Sequence, residues 1–146
     1  MVRLRWWTDV CEDAATFKQT SGTSYVNGGG ARNADDKVLQ HNGAGTVAVK
    51  NFWVSNVGKV YRSCGNCGTQ YARHSTFTNI WIDDASVVAG VNSNYGDTTY
   101  IHDSCLKSSA QCWIYKGNSN GKEPTKIASG PTGTACTVSA IKTSGC

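Results

Sequence analysis

Short apolar runs that recur about every 22 residues constrain the fold of this chain more than any other feature of its sequence. Phe17, Leu39 and Tyr61 lie 22 residues apart, and Val88 and Trp113 continue the series after 27 and 25 residues. Five successive units each contain short strands that glycine, asparagine or aspartate interrupts. Repeats of this length with several strands per unit are typical of a parallel β-helix.

The composition excludes the main competing folds. The chain of 146 residues contains only three leucines, and no stretch of ten residues shows the apolar periodicity of an amphipathic helix. Helical bundles and βαβ folds are therefore excluded, and an antiparallel β-sandwich remains the alternative. We predict one all-β domain, a single-stranded parallel β-helix solenoid with about five visible coils.

Seven cysteines indicate a secreted, disulfide-bonded protein. A zinc site is disfavoured because the chain has one CxxC unit and its histidines are scattered. Cys11 has no nearby cysteine to pair with. Six cysteines form local pairs along the sequence, which we expect to be the disulfides: Cys64/Cys67, Cys105/Cys112 and Cys136/Cys146.

The two ends of the chain carry further expectations. The first residues, MVRLRWW, lack the apolar core of a signal peptide, which conflicts with a disulfide-rich composition. We therefore expect that sequence upstream, including N-terminal coils, is missing. Residues 117–146 are rich in glycine, serine and threonine and are expected to form a loop-rich cap. No apolar run approaches the length of a membrane-spanning helix.

The net charge of +4 is too small to indicate nucleic-acid binding but favours an acidic partner. The repeat places Lys37 and Lys59 at the same position of consecutive coils, about 4.8 Å apart along the stack. Arg62 follows three residues later. Three cations on one wall repel one another unless an anion lies between them, so this wall is a candidate anion-binding site.

Several longer motifs resemble family 3 polysaccharide lyases, the small microbial pectate lyases. They follow the order found in that family and extend from about residue 6 to residue 131. They comprise residues 6–14 (WWTDVCEDA), 33–43 (NADDKVLQHNG), 58–67 (GKVYRSCGNC), 89–97 (AGVNSNYGD), 115–118 (YKGN) and 123–126 (EPTK).

The resemblance implies a right-handed parallel β-helix that cleaves de-esterified pectin with the help of calcium. The reaction is a β-elimination that leaves 4,5-unsaturated oligogalacturonides. The expected partner is the polygalacturonate of plant cell walls, and the expected state of the full-length protein is a secreted monomer. Neither nucleic acid nor membrane is expected as a partner.

The same resemblance assigns Lys37, Lys59 and Arg62 to catalysis. Either Lys37 or Arg62 is expected to be the base, with Lys37 preferred. A lysine base needs a pKa lowered by neighbouring cations, and either base predicts an alkaline pH optimum. His41 is expected to be a structural hydrogen-bonding residue instead.

Calcium is expected to bind acidic residues of the first coils, together with an acid from a coil that precedes residue 12. Two other interpretations remain open: a polygalacturonate-binding protein without activity, and a secreted protein recognised by a plant host. The expected calcium ligands are Glu12, Asp13 and Asp36, and the expected substrate-binding residues are Lys59, Arg62, Asn92, Asn94 and Tyr95.

Overall fold

Strands stack on one another in a solenoid of about five turns, in a computed structural model that describes residues 1–107 and 109–146. The expected all-β solenoid is confirmed. No α-helix occurs among these residues, and none of their helical segments could cross a membrane. The strands are β1 (Val2–Trp7), β2 (Ala15–Phe17), β3 (Thr23–His41), β4 (Gly45–Ser63), β5 (Arg73–Ile82), β6 (Ala85–Asn92), β7 (Thr98–Leu106), β8 (Ala110–Lys116), β9 (Thr125–Gly130) and β10 (Cys136–Lys142).

The long strands β3 and β4 each contribute to more than one face of the solenoid. The first part of β4 pairs with β5 and its last part pairs with β6, all in parallel. Asn51 turns the chain within the first part and Asn56 turns it between the two parts, both in the left-handed conformation, with φ of 56° and 55°. Asparagine adopts this conformation more readily than most residues, so the asparagines of the sequence mark the corners of the coils.

The register of the coils agrees with the sequence repeat only in part. Lys37 pairs with Lys59 and Leu39 pairs with Tyr61, as the 22-residue interval predicts. The other intervals are wrong by one to two residues: Leu39 pairs with Ala15 rather than Phe17, and Tyr61 pairs with Ala89. The cause is a change in coil length where loops are inserted, such as the loop that contains Cys64 and Cys67.

The core runs along the interior of the solenoid and consists of stacked aliphatic and aromatic side chains. Next to the basic positions, each coil turns two consecutive residues inward. These pairs are Val38 with Leu39, Val60 with Tyr61, and Val88 with Ala89, all without solvent exposure.

Two of the three expected disulfides are wrong. Cys64–Cys67 forms as expected, but Cys105 bonds to Cys146 and Cys112 bonds to Cys136. Strand β10 returns to pair with β7, which brings the end of the chain to Cys105. Residues 117–146 thus contain two strands, β9 and β10, and two disulfides attach them to the preceding coils. Cys11 is exposed and free.

Candidate active site

A row of basic residues lies on the outer face formed by the last parts of β3 and β4. Lys37 is in register with Lys59, and Gln40 is in register with Arg62. Val60 and Tyr61, which separate Lys59 from Arg62, are buried in the core. Lys59 and Arg62 therefore point to the same side of the coil. The repeat therefore gathers the three predicted cations on one wall.

Asp36 joins the two lysines of this wall. Its Oδ2 accepts a hydrogen bond from Lys37 Nζ at 2.7 Å, and its Oδ1 accepts one from Lys59 Nζ at 2.8 Å. Partial burial opposes the charged carboxylate, but the hydrogen bonds of the two lysines outweigh it and lower the pKa of Asp36. Both oxygens of Asp36 thus serve to orient lysine side chains.

Lys37 is surrounded by carboxylates. Besides Asp36, its Nζ lies 3.2 Å from Asp13 Oδ1 and 3.8 Å from Glu12 Oε1. Burial opposes the charge of the ammonium, but hydrogen bonds to Asp36 and Asp13 outweigh it and raise the pKa of Lys37. Lys37 therefore does not meet the condition set for a lysine base, a pKa lowered by cationic neighbours, because acids rather than cations are its nearest charged groups.

Arg62 is held on several sides at once and is only 6% exposed. Its guanidinium stacks on Tyr115, 3.9 Å from the ring centroid, and Nη1 donates to Asn92 Oδ1 at 3.1 Å and to the carbonyl of Ser63. Nη2 is buried and has no hydrogen-bond partner among the described residues. Burial disfavours the charged guanidinium and lowers the pKa of Arg62.

Two glycines make room for Arg62. A Cβ on Gly90 would lie 2.8 Å from the Cδ of Arg62, and a Cβ on Gly65 would lie 2.3 Å from its Nη2. Neither glycine has the positive φ that would require glycine for conformational reasons. The small size of these residues therefore serves the close approach of the arginine.

Asn92 lies behind the basic wall and has no solvent exposure. Its Nδ2 donates to the carbonyl of Cys64 at 2.9 Å and to Ser63 Oγ at 3.2 Å, while its Oδ1 accepts from Arg62. Its backbone N–H donates to Asp97 Oδ2 at 2.8 Å. All polar groups of the Asn92 side chain are thus engaged within the protein, and the contacts place it as a support for Arg62.

Asn94 and Tyr95 lie in a short 3₁₀ turn, Ser93–Tyr95. The amide of Asn94 pairs with the backbone of Gly117: Nδ2 donates to its carbonyl at 2.9 Å and Oδ1 accepts from its N–H at 2.8 Å. Neither Asn94 nor Tyr95 lines the groove described next, as far as the described residues show.

A groove of about 220 Å³ lies in front of the basic residues. The loop closed by Cys64–Cys67 and the segment before β9 also line it, and Gln70 joins the two by donating to the carbonyl of Cys64 at 3.1 Å and to that of Asn118 at 2.7 Å. The groove is lined by Asp36, Lys37, Gln40, Lys59, Arg62, Gly65, Asn66, Tyr115, Glu123 and Pro124.

Sequence reasoning assigned no site role to six residues of this groove: Gln40, Gly65, Asn66, Tyr115, Glu123 and Pro124. The repeat could have indicated Gln40, which lies three residues after Lys37, as Arg62 does after Lys59. Tyr115 could be found only from the register of β8, in which it pairs with Asn92. The other four reach the groove through two loops that no repeat describes.

His41 is a structural residue, as expected. It has no solvent exposure, and its Nδ1 lies 2.8 Å from the hydroxyl of Tyr61, while Nε2 lies 3.1 Å from the carbonyl of Ala44. Burial in the core lowers the pKa of His41 to about 4. The imidazole is therefore neutral at physiological pH, and it does not line the groove.

Comparison with known proteins decides the family. The family model described as "Pectate lyase" matches residues 2–122. The chain belongs to the pectate lyase family. A probable pectate lyase E of Aspergillus clavatus is 53% identical over 130 residues, which cover 87% of this chain and 51% of that relative. Pectate lyase H of Emericella nidulans is 47% identical over 130 residues, covering 87% and 50%.

Solved structures of pectate lyases share the fold. The catalytic domain of pectate lyase PelI from Erwinia chrysanthemi aligns with a TM-score of 0.81 at 34% identity, covering 94% of this chain and 69% of that one. PelI in complex with tetragalacturonic acid aligns with a TM-score of 0.79 at 33% identity, covering 96% and 54%. The chain spans about half the length of the curated pectate lyases it matches.

Proposed function

We propose that this protein is a secreted pectate lyase that cleaves de-esterified pectin by calcium-dependent β-elimination to 4,5-unsaturated oligogalacturonides. The observation that carries the proposal is the convergence of Lys37, Lys59 and Arg62 on one groove. Support comes from the related PelI, which has been solved in complex with tetragalacturonic acid, a polyanion of the expected kind. The three disulfides support secretion, because such bonds persist in oxidising environments.

The chemistry of the substrate explains why cations are needed. Each sugar of polygalacturonate carries a carboxylate on C5, and the proton on C5 must leave before the C4–oxygen bond breaks. Removing it develops negative charge on a group that is already an anion. Positive groups fixed in a groove stabilise that charge more in the transition state than in the ground state.

Arg62 supplies the most rigid of these charges. Stacking on Tyr115 and the hydrogen bonds to Asn92 and Ser63 fix the guanidinium before substrate binds. A fixed charge does not have to reorganise during the reaction, which is the condition for effective electrostatic catalysis. We assign Asn92 to positioning Arg62 rather than to substrate contact.

Lys59 is the better candidate for the base. An amine accepts a proton only in its neutral form, and each neighbouring carboxylate favours the charged form. Lys37 has three carboxylates around its Nζ, whereas the one ion pair of Lys59 among the described residues is with Asp36. Arg62 holds its proton too strongly for this role, since a guanidinium keeps its charge in proteins. Lys37 therefore serves to neutralise the charge of the substrate and to orient the substrate.

Two of the three expected calcium ligands suit calcium better than the third. Glu12 and Asp13 offer the oxygen ligands that calcium prefers, and the Glu12 side chain is 75% exposed. Asp36 fits less well because both of its oxygens are engaged by lysines. The described residues contain no cluster of three or more potential metal ligands. We propose that Glu12 and Asp13 hold calcium, whose charge would help to neutralise the substrate carboxylates.

The decisive experiment incubates the protein with polygalacturonate at alkaline pH, with calcium and then with a chelator. A lyase forms the unsaturated uronate, which absorbs ultraviolet light, whereas a hydrolase forms new reducing ends without that absorbance. We expect a calcium-dependent rise in absorbance. Binding of polygalacturonate without any product would instead identify a non-catalytic binding protein, the second candidate, for which the basic groove alone would suffice.

A further inference from the structure

The basic wall continues beyond the groove on the strands that follow it. Gly90 is in register with Arg62, and Trp113 on β8 is in register with Gly90. Trp113 therefore lies two strands from Arg62 along the solenoid axis, or about 10 Å. Because Gly90 has no side chain, the side chain of Arg62 and the ring of Tyr115 fill the space above it.

Lys126 and Lys59 approach the same indole ring. Lys126 lies on β9, which pairs with β8 in the antiparallel sense, and its Nζ is 4.0 Å from the centroid of the Trp113 ring. The Nζ of Lys59 is 5.8 Å from that centroid. The aromatic ring thus holds the exposed Lys126 beside the basic wall, although the strand of Lys126 belongs to the C-terminal segment.

Lys126 differs from the other two lysines in its partners. Lys37 and Lys59 are tied to Asp36, but Lys126 forms no ion pair with any residue that the structure describes. Contact with a neutral ring leaves the full charge of its ammonium available. An anion could bind Lys126 without breaking an existing ion pair. A lysine without an ion pair attracts a carboxylate ligand more strongly than a lysine already paired with an acidic residue.

We propose that Lys126 binds a second carboxylate of the substrate, on a sugar unit beyond the one held at Lys59 and Arg62. This inference rests on the proposed function, because a polyuronate repeats its carboxylate on every unit. Trp113 is the positioning residue, which holds Lys126 in place and offers an apolar surface to the sugar. The substrate chain accordingly extends along the solenoid axis toward β8 and β9.

The test measures the binding of polygalacturonate and of highly methyl-esterified pectin to the full chain and to two variants. Lys126→Gln removes the proposed contact. Lys50→Gln removes the same charge from the first part of β4, an exposed position on another face, and is the matched control. Both changes affect exposed side chains, so the variants should fold like the wild type. Affinity electrophoresis in gels that contain each polymer reports the dissociation constants.

We expect Lys126→Gln to weaken binding of polygalacturonate about fivefold, as is typical for one charge-assisted contact at a partly exposed site. The effect should vanish with highly esterified pectin, which has few carboxylates, and Lys50→Gln should change neither constant. A purely structural role for Lys126 would weaken the binding of both polymers alike. Equal loss with both polymers, or no loss with either, overturns the inference while the wild type still binds polygalacturonate. A wild type that does not bind polygalacturonate overturns the proposed function as well.

Discussion

Lys37 and Lys59 occupy paired positions on adjacent strands, and the two oxygens of one carboxylate, Asp36, accept a hydrogen bond from each of them. Two like charges one strand apart would repel each other, so the shared carboxylate stabilises the arrangement before substrate arrives. This pairing separates the roles of the two lysines, because the other acids near the site, Glu12 and Asp13, contact Lys37.

Replacing Asp36 tests the pairing. In Asp36→Asn, Lys37 loses a hydrogen bond that raises its pKa, so the alkaline limb of the pH–rate profile, where Lys37 loses its charge, should move to lower pH. Initial rates of unsaturated product formation across the alkaline range measure the shift. Asp35→Asn is the matched control, because it removes the charge of the neighbouring exposed residue. Identical profiles for the two variants would contradict the assigned role of Asp36.

Gly90 tests whether the placement of Arg62 matters for activity. Gly90→Ala introduces a Cβ only 2.8 Å from the Cδ of Arg62, so the arginine must shift within the groove. We expect at least a tenfold loss of kcat with little loss of thermal stability. Gly68→Ala is the control, because a Cβ at that position meets nothing within 4 Å. Full activity of Gly90→Ala would show that the position of Arg62 is not critical.

The basic wall could be predicted from the sequence because it depends only on a local interval. The same 22 residues separate Lys37 from Lys59 and Leu39 from Tyr61, so one register explains both the cations and the core beneath them. Asn92 shows the limit of this reasoning. The sequence analysis expects it to bind substrate, but its side-chain amide donates to Ser63 and Cys64, one coil away.

The pairing of two disulfides was predicted wrongly for a related reason. Closeness in the sequence favoured pairs seven and ten residues apart, whereas the bonds formed join cysteines 24 and 41 residues apart. In a solenoid, residues one coil apart are spatial neighbours, and the return of β10 to β7 adds a contact that no repeat predicts. Local spacing is therefore a poor guide to cysteine pairing in this fold.

Peptide mapping tests the disulfide pattern directly. Tryptic cleavage of the unreduced protein should leave residues 74–107 joined to 143–146, and residues 108–116 joined to 127–142. Mass spectrometry before and after reduction identifies both products. The pairing of sequence neighbours would instead join 74–107 to 108–116 and 127–142 to 143–146, and its detection would contradict the structure.

The burial of His41 predicts that the protein loses stability in mild acid. Because burial lowers its folded-state pKa from 6.5 to about 4, the unfolded chain binds a proton more readily than the folded one. The stabilisation is fully present above pH 6.5, and about 3 kcal/mol is lost as the pH falls toward 4. Urea unfolding at a series of pH values measures the loss. The variant His41→Gln should lose this pH dependence. The control variant His102→Gln, at a partly exposed position, should retain it. Equal pH dependence in both variants would contradict the assignment.

The most direct test of the account compares Lys59→Gln with Lys50→Gln in the formation of unsaturated product from polygalacturonate. Both variants lose one lysine charge from β4, but only Lys59 faces the groove. The account predicts a loss of at least a hundredfold in kcat for Lys59→Gln, as for the removal of a general base, and wild-type turnover for Lys50→Gln. Wild-type turnover by Lys59→Gln would contradict the claim that this groove is the site of proton removal.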